Sequence, residues 1–278
     1  VQETLCLMEN IRFFEGEKNN DLELSKKISN SFDIYVMDAF ATAHRQSAST
    51  FGAILESQEA CAGILFSKEI QNLDLALNSS ENVLSIVGGS KISTKLNVIK
   101  NLISKSSKVL VGGGIANTFL KAAGYEVGLS LVEDEMIDVS KELLNTNKII
   151  LPKNVYVADS PQAKSAELVM VDGVSKDKMI LDIELNDELK ITSASDYIIW
   201  NGPLGIFEIN QFATGTKQLA KFLESSPSKV IAGGGETIYA ISKFSDISKF
   251  HYVSTAGGAF LEYLSGYSLP SIEALRLK

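Results

Sequence analysis

The sequence has no apolar run approaching the length of a bilayer span, so no segment reads as a transmembrane helix. Nor does any stretch have the pattern of a secretory leader. Only two cysteines are present, Cys6 and Cys61, at no metal-ligand spacing. Their scarcity excludes a disulfide framework or a cysteine metal cluster and fits a reducing, cytoplasmic compartment; both read as small buried residues. Basic residues are outnumbered, 26 Lys and Arg against 34 Asp and Glu, for a formal charge of −8. That balance excludes a broad nucleic-acid surface, though not a local basic pocket. The Walker pattern GxxxxGK[ST] is missing, and so is GxGxxG, which sets aside the two commonest nucleotide loops. The single tryptophan, Trp200, stands before a turn and reads as packing. From the residues alone both histidines, His44 and His251, read as structural, His251 at a strand start. The chain opens at Val1, and its first residues read as the edge of a strand, so a preceding piece is expected.

What is present is globular: 278 residues, 45% hydrophobic and 22% charged, enough for one large or two ordinary domains. The 20 glycines are not scattered. "VLSIVGG" (83–89), "KVLVGGG" (108–114), "DYIIWNGPLG" (196–205), "KVIAGGG" (229–235) and "HYVSTAGG" (251–258) are apolar runs that end in glycine. Their lack of period-2 alternation suits strands buried on both faces. Helical spacing follows most of them: Leu96, Ile99, Leu102 and Ile103; Ile115, Phe119 and Leu120; Phe212, Leu219 and Phe222; Ile238 and Ile241. Strand, glycine turn and helix in repetition predict a parallel α/β sheet. In such sheets the turns at the carboxyl ends of the strands gather at one mouth, where close backbone and free helix N–H groups suit an anion, typically a phosphate.

Charged residues flank these turns. In "GGSKISTK" Lys91 and Lys95 stand four apart at an expected helix start, where they share a face and oppose the helix dipole, an arrangement suited to a polyanion. Glu236 follows the "GGG" of 233–235, where an acid can cap a helix or hold Mg²⁺ beside a phosphate chain; both roles stay open. "DAFATAHRQSAST" (38–50) follows a strand and gathers His44 and Arg45 among hydroxyls, and "ENIRFFEGE" (9–17) adds Arg12 after another. Arginine grips a carboxylate or a phosphate ester with two parallel bonds.

Taken in order, "ENIRF", "DAFATAHR", "IVGGSKISTK", "VGGGIANTFL", "WNGPLGIFE", "GGGETI", "STAGGAFLE" and "LPSIEAL" make a set along almost the whole chain. That set resembles the phosphoglycerate kinase family. The resemblance implies two Rossmann-like parallel α/β domains across a hinged cleft, the amino-terminal one incomplete in this chain. On this chain it implies a remnant of the phosphoglycerate-binding domain (1–62), an interdomain helix (63–78), a nucleotide-binding domain (79–265) and a tail returning to the first domain (266–278). It implies reversible transfer of the acyl phosphate of 1,3-bisphosphoglycerate to MgADP, with no covalent enzyme intermediate, by a protein monomeric at full length with no nucleic-acid or membrane partner. Arg12, His44 and Arg45 then face the substrate phosphate, and Lys91 the transferring phosphoryl group. Lys95 faces the nucleotide phosphates, and Gly113 and Gly114 lie beside the adenosine. Asn201, Pro203 and Glu208 surround the nucleotide, Glu208 at the ribose. Gly234, Gly235, Glu236 and Thr237 form the phosphate and metal loop, and Gly257 and Gly258 present amides to the transferring group.

Departures from the family pattern are local. Glu236 stands where the family has Asp, which displaces the carboxylate by about 1.5 Å. Ala256 and Ala41 each replace a Gly, Glu184 follows "DI" in place of Gly, and the 183–196 segment reads as shortened. The substrate motifs that precede "ENIRF" in the family are not found here. The chain is therefore expected to be inactive alone, with exposed apolar faces on 1–62. The alternative is a short nucleotide-binding homologue without catalysis. A dinucleotide oxidoreductase on the same sheet type is set aside with the missing GxGxxG.

Overall fold

The computed structural model describes residues 5–78, 82–186, 188, 192 and 194–278. The chain divides into two compact units: residues 1–71 with 267–278, and residues 72–266.

The first unit is small. A 3-10 turn (Ile11–Phe13) is capped by Asn10, whose side chain accepts from Arg12 N–H at 3.0 Å. Asp21 caps α1 (Leu22–Ser29) by accepting from Leu24 N–H at 2.8 Å. β1 (Ile34–Met37) and β2 (Glu59–Ala62) form a two-stranded parallel sheet, with α2 (Ala53–Glu56) between them. Asp38 accepts from Phe66 N–H at 2.9 Å in the first turn of α3 (Ile64–Leu77), supporting that helix start with a carboxylate.

Two expectations fail in this unit. Cys6 and Cys61 are exposed, not buried. Cys61 lies opposite Val36, and Glu59 opposite Ile34, on a sheet face where Ile34 and Val36 are each 54% exposed, so no element among the described residues covers it. Cys6 sits between Leu5 and Leu7, both also exposed. No strand precedes Arg12 within residues 5–10, because that segment has no strand partner; residues 1–4 lie outside the described ones.

The second unit carries the large sheet, all parallel, in the order β11-β10-β9-β3-β4-β5. Its strands are β3 (Val83–Val87), β4 (Lys108–Val111), β5 (Ile149–Ile150), β9 (Tyr197–Asn201), β10 (Lys229–Gly233) and β11 (Tyr252–Ser254). Every residue of β3 and β9 is buried, which explains their uninterrupted apolar runs. One sheet face, with Leu84, Ile86, Ile198 and Trp200, joins a core with Leu120, Leu219 and Ile241 of the helices α5 (Gly113–Ala122), α7 (Thr214–Glu224) and α8 (Gly235–Phe244). α4 (Leu96–Lys105) packs against β3, β4 and α9 (Gly258–Leu264). α6 (Ile137–Leu144) packs on α5. Between β5 and β9 the chain adds an antiparallel sheet, β7-β6-β8, from β6 (Asn154–Ala158), β7 (Glu167–Met170) and β8 (Met179–Glu184). Val155 and Val157 of β6 and Ile183 of β8 belong to the same core. No glycine turn in the sequence marks this sheet.

The tail forms α10 (Pro270–Arg276), opened by proline at its first turn. Within the first unit Ser271 Oγ donates to Thr50 O at 2.6 Å, and Ser271 N–H to Ala43 O at 3.2 Å.

Part of the 183–196 segment lies outside the described residues. The alanines that replace glycine cost no strain: among the described residues only Asn20 and Asn147 are non-glycines at positive φ.

Candidate nucleotide site

From β3 the chain builds outward through β4 and β5; from β9 it builds the other way through β10 and β11. The order reverses between β3 and β9, the place where an open parallel sheet leaves a crevice at its carboxyl edge. There the two strand ends touch backbone to backbone. Gly88 N–H donates to Asn201 O at 2.9 Å. A Cβ on Gly88 would lie 1.9 Å from Pro203 O, and one on Gly202, held at φ +97°, would lie 2.2 Å from Gly88 O. On the β4 side Gly113, at φ +64°, donates its N–H to Leu204 O at 2.9 Å, and a Cβ on Gly114 would meet Ser90 O at 2.2 Å. Glycine is thus required here for close passage of chain against chain as well as for any ligand.

Beside these turns opens a cavity of about 500 Å³. Leu129, Leu131, Met179, Leu181 and Ile206 are among the residues of its apolar wall; Gly89, Gly113, Gly114, Pro203, Glu208 and Glu236 are among those on its other sides. The size and the mixture suit a small ligand with an apolar ring and a polar tail.

Lys95 lies under this floor. Its Nζ donates to Gly88 O at 2.7 Å and to Asn201 O at 3.5 Å. Burial lowers its pKa to about 8, and the Glu236 carboxylate partly opposes that shift. The shared helix face expected for Lys91 and Lys95 does not form. α4 begins at Leu96, so Lys95 is its cap and Lys91 lies on the preceding loop, exposed and outside the cavity lining. The "SKIST" stretch lacks an acid or a hydroxyl bonded to the first helical amides, and the chain turns there, with Lys95 N–H donating to Ile92 O at 2.9 Å.

The β10 turn is tied to β9 by side chains. Asn201 Nδ2 donates to Gly233 O at 2.7 Å, and Thr237 Oγ1 accepts from Gly202 N–H at 2.8 Å. Asn201 Oδ1 is buried without a partner among the described residues. Gly234, at φ +99°, caps α8; Gly235 has open space around it, and Glu236 is exposed in the first turn. Gly257 (φ +54°) caps α9 with Gly258 its first residue, after the edge strand β11; neither lines the cavity.

Arg12, in the 3-10 turn Ile11–Phe13, and His44 and Arg45, just before Ala48, lie in the first unit. The buried Glu17 carboxylate accepts from Ser49 N–H at 2.9 Å and Ser49 Oγ at 2.6 Å, and its carbonyl from Ala48 N–H at 2.9 Å. Neither arginine makes an ion pair among the described residues, and His44 Nδ1 is buried without a partner.

Comparison with known proteins identifies the pattern. The family model described as phosphoglycerate kinase matches residues 1–267. The phosphoglycerate kinase of Francisella philomiragia is 46% identical over 284 residues, covering 99% of this chain and 72% of that protein. That of Psychrobacter cryohalolentis is 43% identical, covering 98% and 73%. The solved structure of phosphoglycerate kinase from Coxiella burnetii superposes with a TM-score of 0.93 at 43% identity, over 96% of this chain and 72% of that one. The chain belongs to the phosphoglycerate kinase family.

Within this phosphoglycerate kinase fold the structure adds groups that the sequence analysis does not single out. Asp182, on β8, lines the cavity and is buried. Its Oδ2 accepts from Gly215 N–H at 3.0 Å, while Oδ1 has no partner among the described residues. Burial raises its carboxyl pKa to about 7 despite amide hydrogen bonds from Gly215, Ile183 and Thr214. Asn117, also buried and lining the cavity, leaves its Oδ1 unpartnered among the described residues. Asp182 stands between Leu181 and Ile183 inside the run "MILDIE", and an acid with apolar neighbours on both sides is the sequence signal that could have found it.

Proposed function

We propose that this chain serves the phosphoglycerate kinase reaction, reversible transfer of the acyl phosphate of 1,3-bisphosphoglycerate to MgADP, with the nucleotide held in the second unit. The observation that carries this reading is the glycine-walled cavity at the sheet's switch point, with Lys95 under its floor and Glu236 at its rim. Lys95 would bind the nucleotide phosphates by turning its Nζ from Gly88 O. The amides of Gly234, Gly235 and Thr237 would complete that cradle. Gly113 and Gly114 would let the adenosine approach the backbone, with Asn201 and Pro203 alongside and Glu208 at the ribose. Lys91, Gly257 and Gly258 would face the transferring group, and Arg12, His44 and Arg45 the phosphoglycerate. Catalysis would then rest on orientation and neutralisation of charge, without a covalent intermediate.

Mg²⁺ fits this donor set. Among the described residues no cluster of three acidic, His or Cys ligands exists, and Mg²⁺ beside phosphates needs only one or two carboxylates. Glu236 would hold it, and the ion would neutralise charge on the phosphate oxygens. The first unit supports a further point. Its two-stranded sheet leaves Ile34, Val36 and Phe32 exposed, so the chain by itself is proposed to transfer phosphate poorly even where it binds nucleotide.

Calorimetric titration of the chain with ADP, with and without Mg²⁺, tests the nucleotide site. Saturable, Mg²⁺-dependent binding is expected; none, in a folded chain, would overturn it. Lys95→Ala should weaken MgADP by about 1.5–3 kcal/mol through loss of a charge-assisted bond. In the parent protein affinity should decline as pH rises past about 8, where Lys95 loses its proton, and Lys95→Arg should flatten that limb. Glu236→Asp should tighten only the Mg²⁺-dependent part of binding; equal affinity would mean that the longer side chain is already accommodated.

A further inference from the structure

The loop 90–95 carries both lysines of the proposed site, yet it belongs to no regular element: α4 begins only after it. Its shape is held from outside. Glu133 is buried, and its carboxylate accepts from Ser93 N–H at 2.9 Å and from Ser93 Oγ at 2.5 Å. Burial alone would raise this carboxyl, but the Ser93 side chain and backbone, the Ile92 backbone and the charge of Lys91 together hold its pKa below the usual carboxylate value. The same residue reaches the opposite wall. Glu133 N–H donates to Thr118 Oγ1 at 3.2 Å, and that hydroxyl donates to Gly114 O at 3.2 Å in the first turn of α5. Ile115 N–H donates to Gly89 O at 3.2 Å, closing the circuit from α5 back to the loop.

We infer that Glu133 is a positioning residue: it sets the 90–95 loop, and with it Lys91 and Lys95, against the N-terminus of α5. The inference rests on the nucleotide reading given above. A carboxylate suits the task because donors from Ser93 and Ile92 converge on it and both its oxygens accept. Glutamine keeps one acceptor and turns an NH₂ toward these donors. Alanine at Ser93 removes only the hydroxyl donor.

The test combines hydrogen exchange with calorimetry on the parent protein, Glu133→Gln and Ser93→Ala, using adenosine and MgADP as separate probes. The Ser93 amide should exchange slowly in the parent and at least tenfold faster in Glu133→Gln. MgADP affinity should fall about tenfold in Glu133→Gln and about threefold in Ser93→Ala, with adenosine within twofold of the parent in both. A merely structural role would weaken both probes in proportion, or neither; either result overturns the inference while MgADP binding by the parent keeps the nucleotide reading intact. Failure of the parent to bind MgADP overturns the nucleotide reading, and the inference with it. Should Glu133→Gln not fold, the adenosine-to-MgADP contrast in Ser93→Ala decides alone.

Discussion

Gly202→Ala is expected to destabilise the second unit by roughly 3–5 kcal/mol, read as a lowered denaturation midpoint, and to abolish nucleotide binding. Two costs add. Residue 202 sits at φ +97°, which an L side chain rarely adopts, and the new methyl would lie 2.2 Å from Gly88 O and 2.7 Å from Lys95 Nζ. The first of those neighbours is backbone within a buried strand end and cannot swing aside. Gly235→Ala is the control. Its φ is not positive and its Cβ would meet nothing within 4 Å, so stability should move by less than about 1 kcal/mol. A stable Gly202→Ala would show that the β3–β9 join is looser than its contacts imply.

Asp182 should make stability fall as pH rises. Its folded-state pKa, about 7, lies above the ordinary aspartate value of 3.8, so the folded protein holds a proton that the unfolded chain releases. Stability from this group is full below about pH 4, declines between about 4 and 7, and is lost above. Asp182→Asn keeps an acceptor for Gly215 N–H and removes the buried charge. Urea titrations should find it about 2–4 kcal/mol more stable than the parent at pH 8 and nearly equal at pH 4. A parent as stable at pH 8 as at pH 5, with no gain from Asn, would show that the carboxylate is solvated.

The large parallel sheet was legible because strands buried on both faces are written as unbroken apolar runs, and β3, β4, β9, β10 and β11 are each followed by a glycine at positive φ, at Gly89, Gly113, Gly202, Gly234 and Gly257. The antiparallel sheet was not, since "ELVM" and "NVYVA" are partly exposed and end in no glycine turn. Burial of the cysteines was read from residue type alone; what decides it for Cys61 is whether another element covers that face of β2. The start of α4 was misjudged because Lys95 is held by carbonyls from β3 and β9, the latter 106 positions away. Glu133 left no local mark, as its partner Ser93 is 40 residues distant and "LVED" reads as an ordinary acidic helix start. The glycine turns and the charged residues beside them were visible in the sequence; Asp182 and Glu133, whose partners lie 33 and 40 residues away, were not.

The reversal of strand order also sets how the second unit must assemble. Joining β3 to β4 closes a short loop, as the bond from Ser107 at the entry of β4 to Val83 O spans 24 residues, and joining β9 to β10 closes one of 32 at Asn201–Gly233. Joining β3 to β9 closes 114, measured at Asn82–Asp196. Chain entropy makes that closure about 1.5 kcal/mol dearer than the shortest. Two local halves can therefore zip early, and the seam between them, a high-contact-order pairing, closes last. The proposed nucleotide site lies on that seam, so on that reading nucleotide affinity would emerge only with the final step of folding.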